Sequence, residues 1–251
     1  VPTIGSLSAA ITSNGAAITD EYVQSVSGVL LTLTSVAGAL GSTISSKSVS
    51  GGGFSQVGAS DTATFTPLTI IGDIVFTATI TDSRGRTASR TVTITVRAYT
   101  PPALLDILTY RSNSSGVIQN EGTYATLKAT TSISSVNGKN SVQSFQGRVY
   151  EKNGTPSTWE TMTQTTNKII AGLALNKEYV VEIKVVDKLS TTIHTASIST
   201  SVVGLNILPG ATGASFGGYA EANKFKIPWP MFINGALISL FVRPIGSVSV
   251  S

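Results

Sequence analysis

Two long stretches of the chain alternate apolar and polar residues with a period of two. In the first stretch, residues 74–82 alternate apolar and hydroxyl-bearing side chains and then turn at residues 83–85. A second alternating run follows over residues 91–96. Alternation of this kind is typical of strands with one buried and one solvent-facing side. The pattern predicts a β-hairpin whose two strands share a buried face.

The same plan returns later in the chain. Residues 179–187 alternate, residues 188–190 form the turn, and residues 196–203 supply the second predicted strand. Asp82 and Asp187 end the first strand of each copy, about 100 residues apart, which is the size of an immunoglobulin-type sandwich. The repeat therefore predicts two such sandwiches in tandem.

A proline pair marks the boundary between the copies. Tyr99 and Thr100 precede Pro101 and Pro102, which lack amide donors and enforce extended geometry, so no strand ladder continues through them. We expect a short linker with limited bending between the sandwiches. The predicted division of the chain is an Ig-like β-sandwich over residues 1–98, a fibronectin III/Ig-like β-sandwich over 99–203, and a C-terminal β segment over 204–251.

Further strands and turns follow from the same reading. Predicted strands cover residues 29–36, 104–109, 123–133 and 142–151, and predicted turns lie at residues 137–138 and 153–154. Gly51, Gly52 and Gly53 predict a flexible loop tip. Tyr179 follows a leucine-containing approach of the kind that closes a strand corner in fibronectin III domains, so we expect a core residue there.

Residues 204–251 differ from the rest because aromatic side chains are dense there. The six are Phe216, Tyr219, Phe225, Trp229, Phe232 and Phe241. A unit this short buries too little surface to be stable alone, so the aromatic residues need a partner surface. Two alternatives stay open. One is packing against the second sandwich, and the other is a shared core with the same segment of neighbouring chains, which would make this an oligomerisation segment.

Composition agrees with an all-β chain. Charged residues make up 12% of the sequence, against roughly 25% in ordinary globular proteins. The balance is Ser, Thr and Gly, and Ser/Thr-rich chains with Val and Ile favour strands. The net charge is +4, and no stretch concentrates cations enough to predict nucleic-acid binding. The arginines between Arg84 and Arg97 are interpreted as a solvated hairpin edge, with an anionic contact as the alternative.

Candidate chemistry is scarce. The chain has no cysteine, and His194 is its single histidine, which excludes a multi-histidine or thiolate metal site. The acids are scattered, and Glu221 stands alone in the final segment, so no carboxylate pair is available for acid–base catalysis. We expect no enzyme activity, no cofactor, no metal and no catalytic residue.

Ligand-binding residues cannot be named from the sequence. Trp159 and Trp229 are candidates for stacking on sugars, although a structural role is the favoured interpretation for each. No run of 18 apolar residues occurs, so no membrane insertion is expected. Because the chain begins at Val1, we expect it to be a portion of something longer.

Several short motifs resemble the repeated modules of siphophage minor structural proteins from phages of Gram-positive hosts. The motifs lie at residues 81–87, 110–116, 121–124, 214–221, 224–227 and 232–235. Together they make most of residues 75–240 similar to that family. Gly218 stands where the family's C-terminal signature usually has lysine, so a role for that side chain is not carried over.

The resemblance implies a virion tail protein: a receptor-binding or tail-fibre component that acts as a homotrimer. Its implied partners are other copies of the chain, other tail proteins and a bacterial cell-surface glycan. Two alternatives belong to other classes. A bacterial surface adhesin or carbohydrate-binding appendage shares the tandem sandwiches but predicts a monomer. A tail-attached hydrolase would need clustered carboxylates, which the sequence lacks.

Overall fold

The computed structural model describes residues 1–12 and 17–200 in full and, beyond residue 204, only the backbone of five short strands. Its described residues form β-strands and no helix, which confirms the predicted all-β class. Consequently no described helix is long and apolar enough to span a lipid bilayer.

Eight strands form the first sandwich. They are β1 (Ser6–Ile11), β2 (Tyr22–Val23), β3 (Val29–Thr34), β4 (Ile44–Gly51), β5 (Phe54–Gly58), β6 (Thr62–Phe65), β7 (Gly72–Asp82) and β8 (Thr87–Arg97). One sheet has the order β1-β3-β6 and the other the order β2-β8-β7-β4-β5. All pairs are antiparallel except β2 with β8.

Alternation along β7 and β3 supplies the core of this sandwich. Every second residue of β7 from Ile74 to Asp82 is buried, and β3 buries Val29, Leu31 and Leu33 against it. Phe54, Phe65 and Phe76 stack between the two sheets, with ring centroids 5.1 and 5.7 Å apart. Fully burying such a side chain contributes about 1.5–3 kcal/mol, so these contacts fix the packing of the two sheets.

Seven strands form the second sandwich. They are β9 (Ala103–Ser112), β10 (Tyr124–Ser132), β11 (Val142–Glu151), β12 (Glu160–Thr161), β13 (Lys168–Ala171), β14 (Tyr179–Asp187) and β15 (Thr191–Ile198). The sheets have the orders β13-β10-β9 and β12-β11-β14-β15. Val181, Ile183 and Val185 of β14 pack against Leu127 of β10 in the core. A three-stranded sheet facing a four-stranded one is the sandwich architecture that the repeat predicts.

Most predicted strands lie where the alternation places them, with two corrections. The last strand of the second sandwich covers Thr191–Ile198 and not residues 196–203, of which 201–203 lie outside the described residues. The glycines at 51–53 do not form a flexible tip. Gly51 pairs with Phe54, and Gly52 and Gly53 have φ values of +56° and +78°, so they are the centre of a two-residue hairpin turn.

Five short strands follow residue 204. They are β16 (Leu205–Ile207), β17 (Ala214–Phe216), β18 (Phe225–Lys226), β19 (Met231–Ile233) and β20 (Ala236–Ile238). The first three form one small sheet and the last two form a hairpin. The aromatic side chains of this segment lie outside the described residues, so its role in assembly stays a prediction. The division at residues 98 and 203 likewise stays a prediction about folding units.

Candidate functional site

A row of stacked side chains crosses the outer face of the four-stranded sheet in the second sandwich. The Cζ atom of Arg148 lies 4.2 Å from the ring centroid of Trp159 and 5.4 Å from that of Tyr150, and the Nζ atom of Lys184 lies 4.2 Å from Trp159. The contacts run in the order Tyr150, Arg148, Trp159, Lys184, and this set is called the aromatic–cation row below. Each cation–π contact contributes about 0.5–2 kcal/mol, depending on how desolvated it is.

Strand register explains how the row is assembled. Arg148 and Tyr150 are two residues apart on β11 and therefore point to the same face. Arg148 pairs with Glu182 of β14, so Lys184, two residues further along β14, is diagonal to it on that face. Trp159 precedes the short edge strand β12, which places its half-buried ring over both cations.

Glu182 neutralises one end of the row. Its Oε2 atom is 2.6 Å from the guanidinium of Arg148, and the hydroxyl of Tyr150 donates to its Oε1 atom at 3.3 Å. Partial burial, followed by the Glu182 carboxylate, raises the pKa of Tyr150. The ammonium of Lys184 has no carboxylate within ion-pair distance among the described residues, so that end of the row keeps a positive charge.

The two sandwiches meet at a second small core, called the junction below. Ile18 and Val23 of the first sandwich and Val136 of the second are buried there. Val26, Tyr99 and Leu189 pack around them. Val136 lies in the loop between β10 and β11, and Leu189 lies in the turn between β14 and β15, so both loops at this end of the second sandwich take part.

Charged groups border the junction. Asp20 accepts from Nζ of Lys139 at 2.5 Å, and Glu21 accepts from Nδ2 of Asn137 at 2.6 Å and from Nε of Arg97 at 2.9 Å. The hydrogen bond from Lys139 lowers the pKa of Asp20, and those from Arg97 and then Asn137 lower the pKa of Glu21. These contacts tie the first sandwich to the 133–141 loop of the second.

The loop contacts change where binding can occur on the second sandwich. Loops on a rigid β scaffold are common binding elements, and the sequence favours loops as the place to look. Here the 133–141 loop and the 188–190 turn contact the first sandwich. The accessible surfaces of the second sandwich are therefore its outer sheet faces and its opposite end.

The repeated aspartates cap equivalent turns. Asp82 is 1% exposed, and it accepts backbone hydrogen bonds from Arg84 and Arg86 at 3.0 Å and side-chain bonds from Arg86 and Ser42. Asp187 is 3% exposed and accepts from the backbone of Leu189 and Ser190 at 2.8 and 2.7 Å. Both residues are structural.

Asp187 differs from Asp82 in its side-chain partners. Nδ2 of Asn140 donates to it at 2.9 Å, and the hydroxyl of Tyr99, from the linker, donates at 3.2 Å. Burial, followed by the negative charge of Asp187, raises the pKa of Tyr99 to about 12. The cap of the second sandwich is thus also bonded to the segment that links the sandwiches.

The structure places the other predicted residues as follows. Tyr179 is 7% exposed and its hydroxyl accepts from the backbone N–H of Ala174 at 2.7 Å, which confirms the predicted strand corner. His194 is half-buried on the edge strand β15, opposite Ile183. Trp159 is half-buried as interpreted, while Trp229 and Glu221 lie outside the described residues.

The arginines between Arg84 and Arg97 do not act as one patch. Arg84 donates to the carbonyl of Leu40, Arg90 to that of Ile4, and Arg86 and Arg97 bond to Asp82 and Glu21. This dispersal favours the solvated hairpin edge over an anionic contact. Among the described residues, no three His, Cys, Asp or Glu side chains are grouped to hold a metal ion.

Comparison with known proteins gives limited information. No protein-family model matches the chain, and no curated protein matches it. The fibronectin(III)-like modules of Clostridium thermocellum CbhA are similar in structure, with 15% identity over 80% of this chain and 94% of theirs, and a TM-score of 0.33.

Two other solved structures are similar to the same degree. Three N-terminal domains of the bacteriophage RB49 highly immunogenic outer capsid protein are 16% identical over 78% of this chain and 70% of theirs, with a TM-score of 0.37. Carbohydrate-binding modules from the β-sandwich superfamily are 16% identical over 72% of this chain and 58% of theirs, with a TM-score of 0.29. Such values carry no argument about function, which has to come from the geometry.

Proposed function

We propose that this chain is a structural and receptor-binding component of a bacteriophage tail fibre, which attaches the virion to a glycan on the bacterial surface. The observation that carries the proposal is the junction. Its buried apolar core and bordering ion pairs hold two sandwiches in one fixed orientation, as a load-transmitting spacer requires. The motifs that resemble siphophage minor structural proteins support the same function.

Assembly supplies the binding strength in this proposal. Residues 204–251 join several copies, in the family's case three, and weak contacts from identical chains then multiply through effective concentration. Other tail proteins hold the assembly on the virion. The chain acts without a cofactor and without catalysis, because binding and spacing need neither.

The proposed contact face is the outer face of the four-stranded sheet in the second sandwich. The aromatic–cation row there combines the apolar edges of Trp159 and Tyr150 with hydrogen-bond donors from Arg148 and Lys184. Sugars present hydroxyl acceptors beside apolar ring faces, so this mixture suits them. The contacts of Trp159 with two cations also hold its ring in place before any ligand arrives.

Binding of the fluorescently labelled protein to a panel of Gram-positive cells tests the proposal. We expect binding to some strains and about a tenfold loss in Trp159→Ala. Thr79→Ala, on the outer face of the first sandwich, is the matched control and should bind like the wild type. Unchanged binding by Trp159→Ala would move the contact away from the aromatic–cation row.

Light scattering tests the assembly. A fibre component should have close to three times the chain mass of 25.9 kDa. Deletion of residues 204–251 should leave monomeric, folded sandwiches. A monomeric full-length chain would contradict the fibre proposal and favour a bacterial adhesin or carbohydrate-binding appendage instead.

A further inference from the structure

A polar pocket lies at the end of the second sandwich that faces away from the junction. Strand β9 begins at Ala103, beside the linker, and ends at Ser112, about 30 Å away for a strand of ten residues. The pocket has a volume of 260 Å³ and lies between the end of β9 and the chain that follows β15. Its lining includes Thr109, Arg111, Asn120, Ser197, Ser199 and Thr200, none of which is acidic.

Arg111 is the unusual member of this lining because it is 7% exposed. Its Nη1 atom donates to the carbonyl of Gly122 at 2.9 Å, and its Nη2 atom donates to the carbonyls of Ser199 at 3.1 Å and Lys177 at 3.5 Å. The guanidinium also lies 6.0 Å from the ring centroid of Tyr179. These contacts hold the side chain in one position beside the pocket.

All the hydrogen-bond partners of Arg111 are neutral carbonyl oxygens. No carboxylate among the described residues lies within ion-pair distance of it, whereas Arg86, Arg97 and Arg148 each have one. A guanidinium has five N–H donors, and the three bonds given above leave two without an acceptor in the described part of the chain. A buried positive charge with unused donors is costly unless an anion approaches it.

We propose that this pocket binds an oxyanion, a phosphate or carboxylate group, through Arg111. The hydroxyls of Thr109, Ser197, Ser199 and Thr200 and the amide of Asn120 are neutral donors that can complete its hydrogen bonds. Arginine suits both anions because its N–H groups are directed and its charge is permanent. The volume fits one anionic group or one sugar carrying it, since sites for drug-sized ligands begin near 300 Å³.

The site is separate from the aromatic–cation row and does not depend on the proposed fibre function. Ser197, Ser199 and Thr200 lie at or beyond the end of β15, whereas the row lies on the outer face of β11 and β14. The two sites can therefore be tested by different variants.

Titration of the full chain with inorganic phosphate, followed by calorimetry, tests the site. We expect saturable binding, with about a tenfold loss of affinity in Arg111→Gln. Because Arg111 also bonds to three carbonyls, this variant may not fold well, so Asn120→Asp is the decisive one. Asn120 is exposed, and a carboxylate there should weaken phosphate binding about fivefold by repulsion while the melting temperature stays unchanged. Arg84→Gln, which changes an exposed arginine of the first sandwich, should bind phosphate like the wild type.

Three further ligands identify the source of the anion. Glucuronate supplies a carboxylate on a sugar, poly(glycerol phosphate) supplies phosphodiesters in a polymer, and glucose is the neutral control. Binding of the anionic ligands, weakened by Asn120→Asp, would support the proposal, and the tighter of the two names the source. Absence of phosphate binding, or equal affinity in the wild type and a folded Asn120→Asp, would overturn it. Neither result depends on whether the labelled protein binds cells.

Discussion

Asp82 and Asp187 occupy the same position in the two sandwiches, and their surroundings differ in one important respect. Asp82 pairs with Arg86, whose side chain is 31% exposed, while Asp187 bonds to the neutral groups of Asn140 and Tyr99. The repeat in the sequence predicted equivalent positions and did so correctly. It could not predict the partners, because they come from loops that have no periodic pattern.

Acid titration should reveal the contribution of Asp82. Burial alone would raise the pKa of this carboxyl, but hydrogen bonds from Arg86, Ser42 and Arg84 outweigh it and hold the pKa far below its usual 3.8. A depressed carboxyl pKa stabilises the fold above the unfolded-state value, and this stabilisation is lost as the pH falls below about 4.

The measurement is urea unfolding of the wild type and of Asp82→Asn between pH 7 and pH 2. We expect a lower urea midpoint for Asp82→Asn at pH 7 and a smaller further decrease in acid. Asp61→Asn, which removes an exposed carboxylate paired with Lys47, is the control and should keep the acid dependence of the wild type. Equal acid dependence in all three proteins would contradict the assigned role of Asp82.

At the scale of elements, alternation located strands with a buried face and failed elsewhere. β11 and β14 begin and end where the pattern placed them, because every second residue of each is buried. β15 was placed about five residues too late. Its exposed edge position leaves Thr191 to Ser197 only partly buried, so the residues there give little hydrophobic signal.

The turn at Gly52 and Gly53 provides a test at this scale. A Cβ atom on the preceding Gly51 would lie 2.4 Å from the carbonyl oxygen of Val75 on the neighbouring strand β7, which is too close. We expect Gly51→Ala to lower the free energy of unfolding by about 1–3 kcal/mol, because β4 and β7 must separate to admit the methyl group.

Gly58→Ala is the control for the same hairpin. A Cβ atom there would meet nothing within 4 Å, so the change in the free energy of unfolding should stay within about 0.5 kcal/mol. Chemical denaturation of both variants gives the comparison. If Gly51→Ala is as stable as Gly58→Ala, the glycines form the flexible tip that the sequence predicted.

For the whole molecule, the junction decides whether the chain is one rod or two tethered sandwiches. Its core could not be predicted, because Ile18, Val23 and Val136 are isolated apolar residues without a period. The proline pair predicted limited bending, but the contacts that limit it come from loops. The aromatic–cation row was missed for a related reason: Arg148, Trp159 and Lys184 meet only once the register of β11 and β14 is known.

Val136 allows the rigidity of the rod to be tested. It is a β-branched residue with φ of +46°, a conformation that is costly for valine, yet it is 4% exposed in the junction. Glycine adopts this φ without strain, so Val136→Gly should keep the loop conformation and remove the apolar contact. Leu40 has φ of +50° and is 82% exposed in the corresponding loop of the first sandwich. Leu40→Gly therefore relieves similar strain without touching the junction.

Distances between two spin labels measure the result. The chain has no cysteine, so Ser89→Cys and Thr195→Cys place one label on each sandwich, and dilution with unlabelled chain removes distances between copies. We expect a narrow distribution in the wild type and in Leu40→Gly, and a distribution about twice as wide in Val136→Gly, because sandwiches without a substantial apolar interface move independently. A wide distribution in the wild type would show that the junction does not hold the sandwiches together, and the spacer part of the fibre proposal would fail with it.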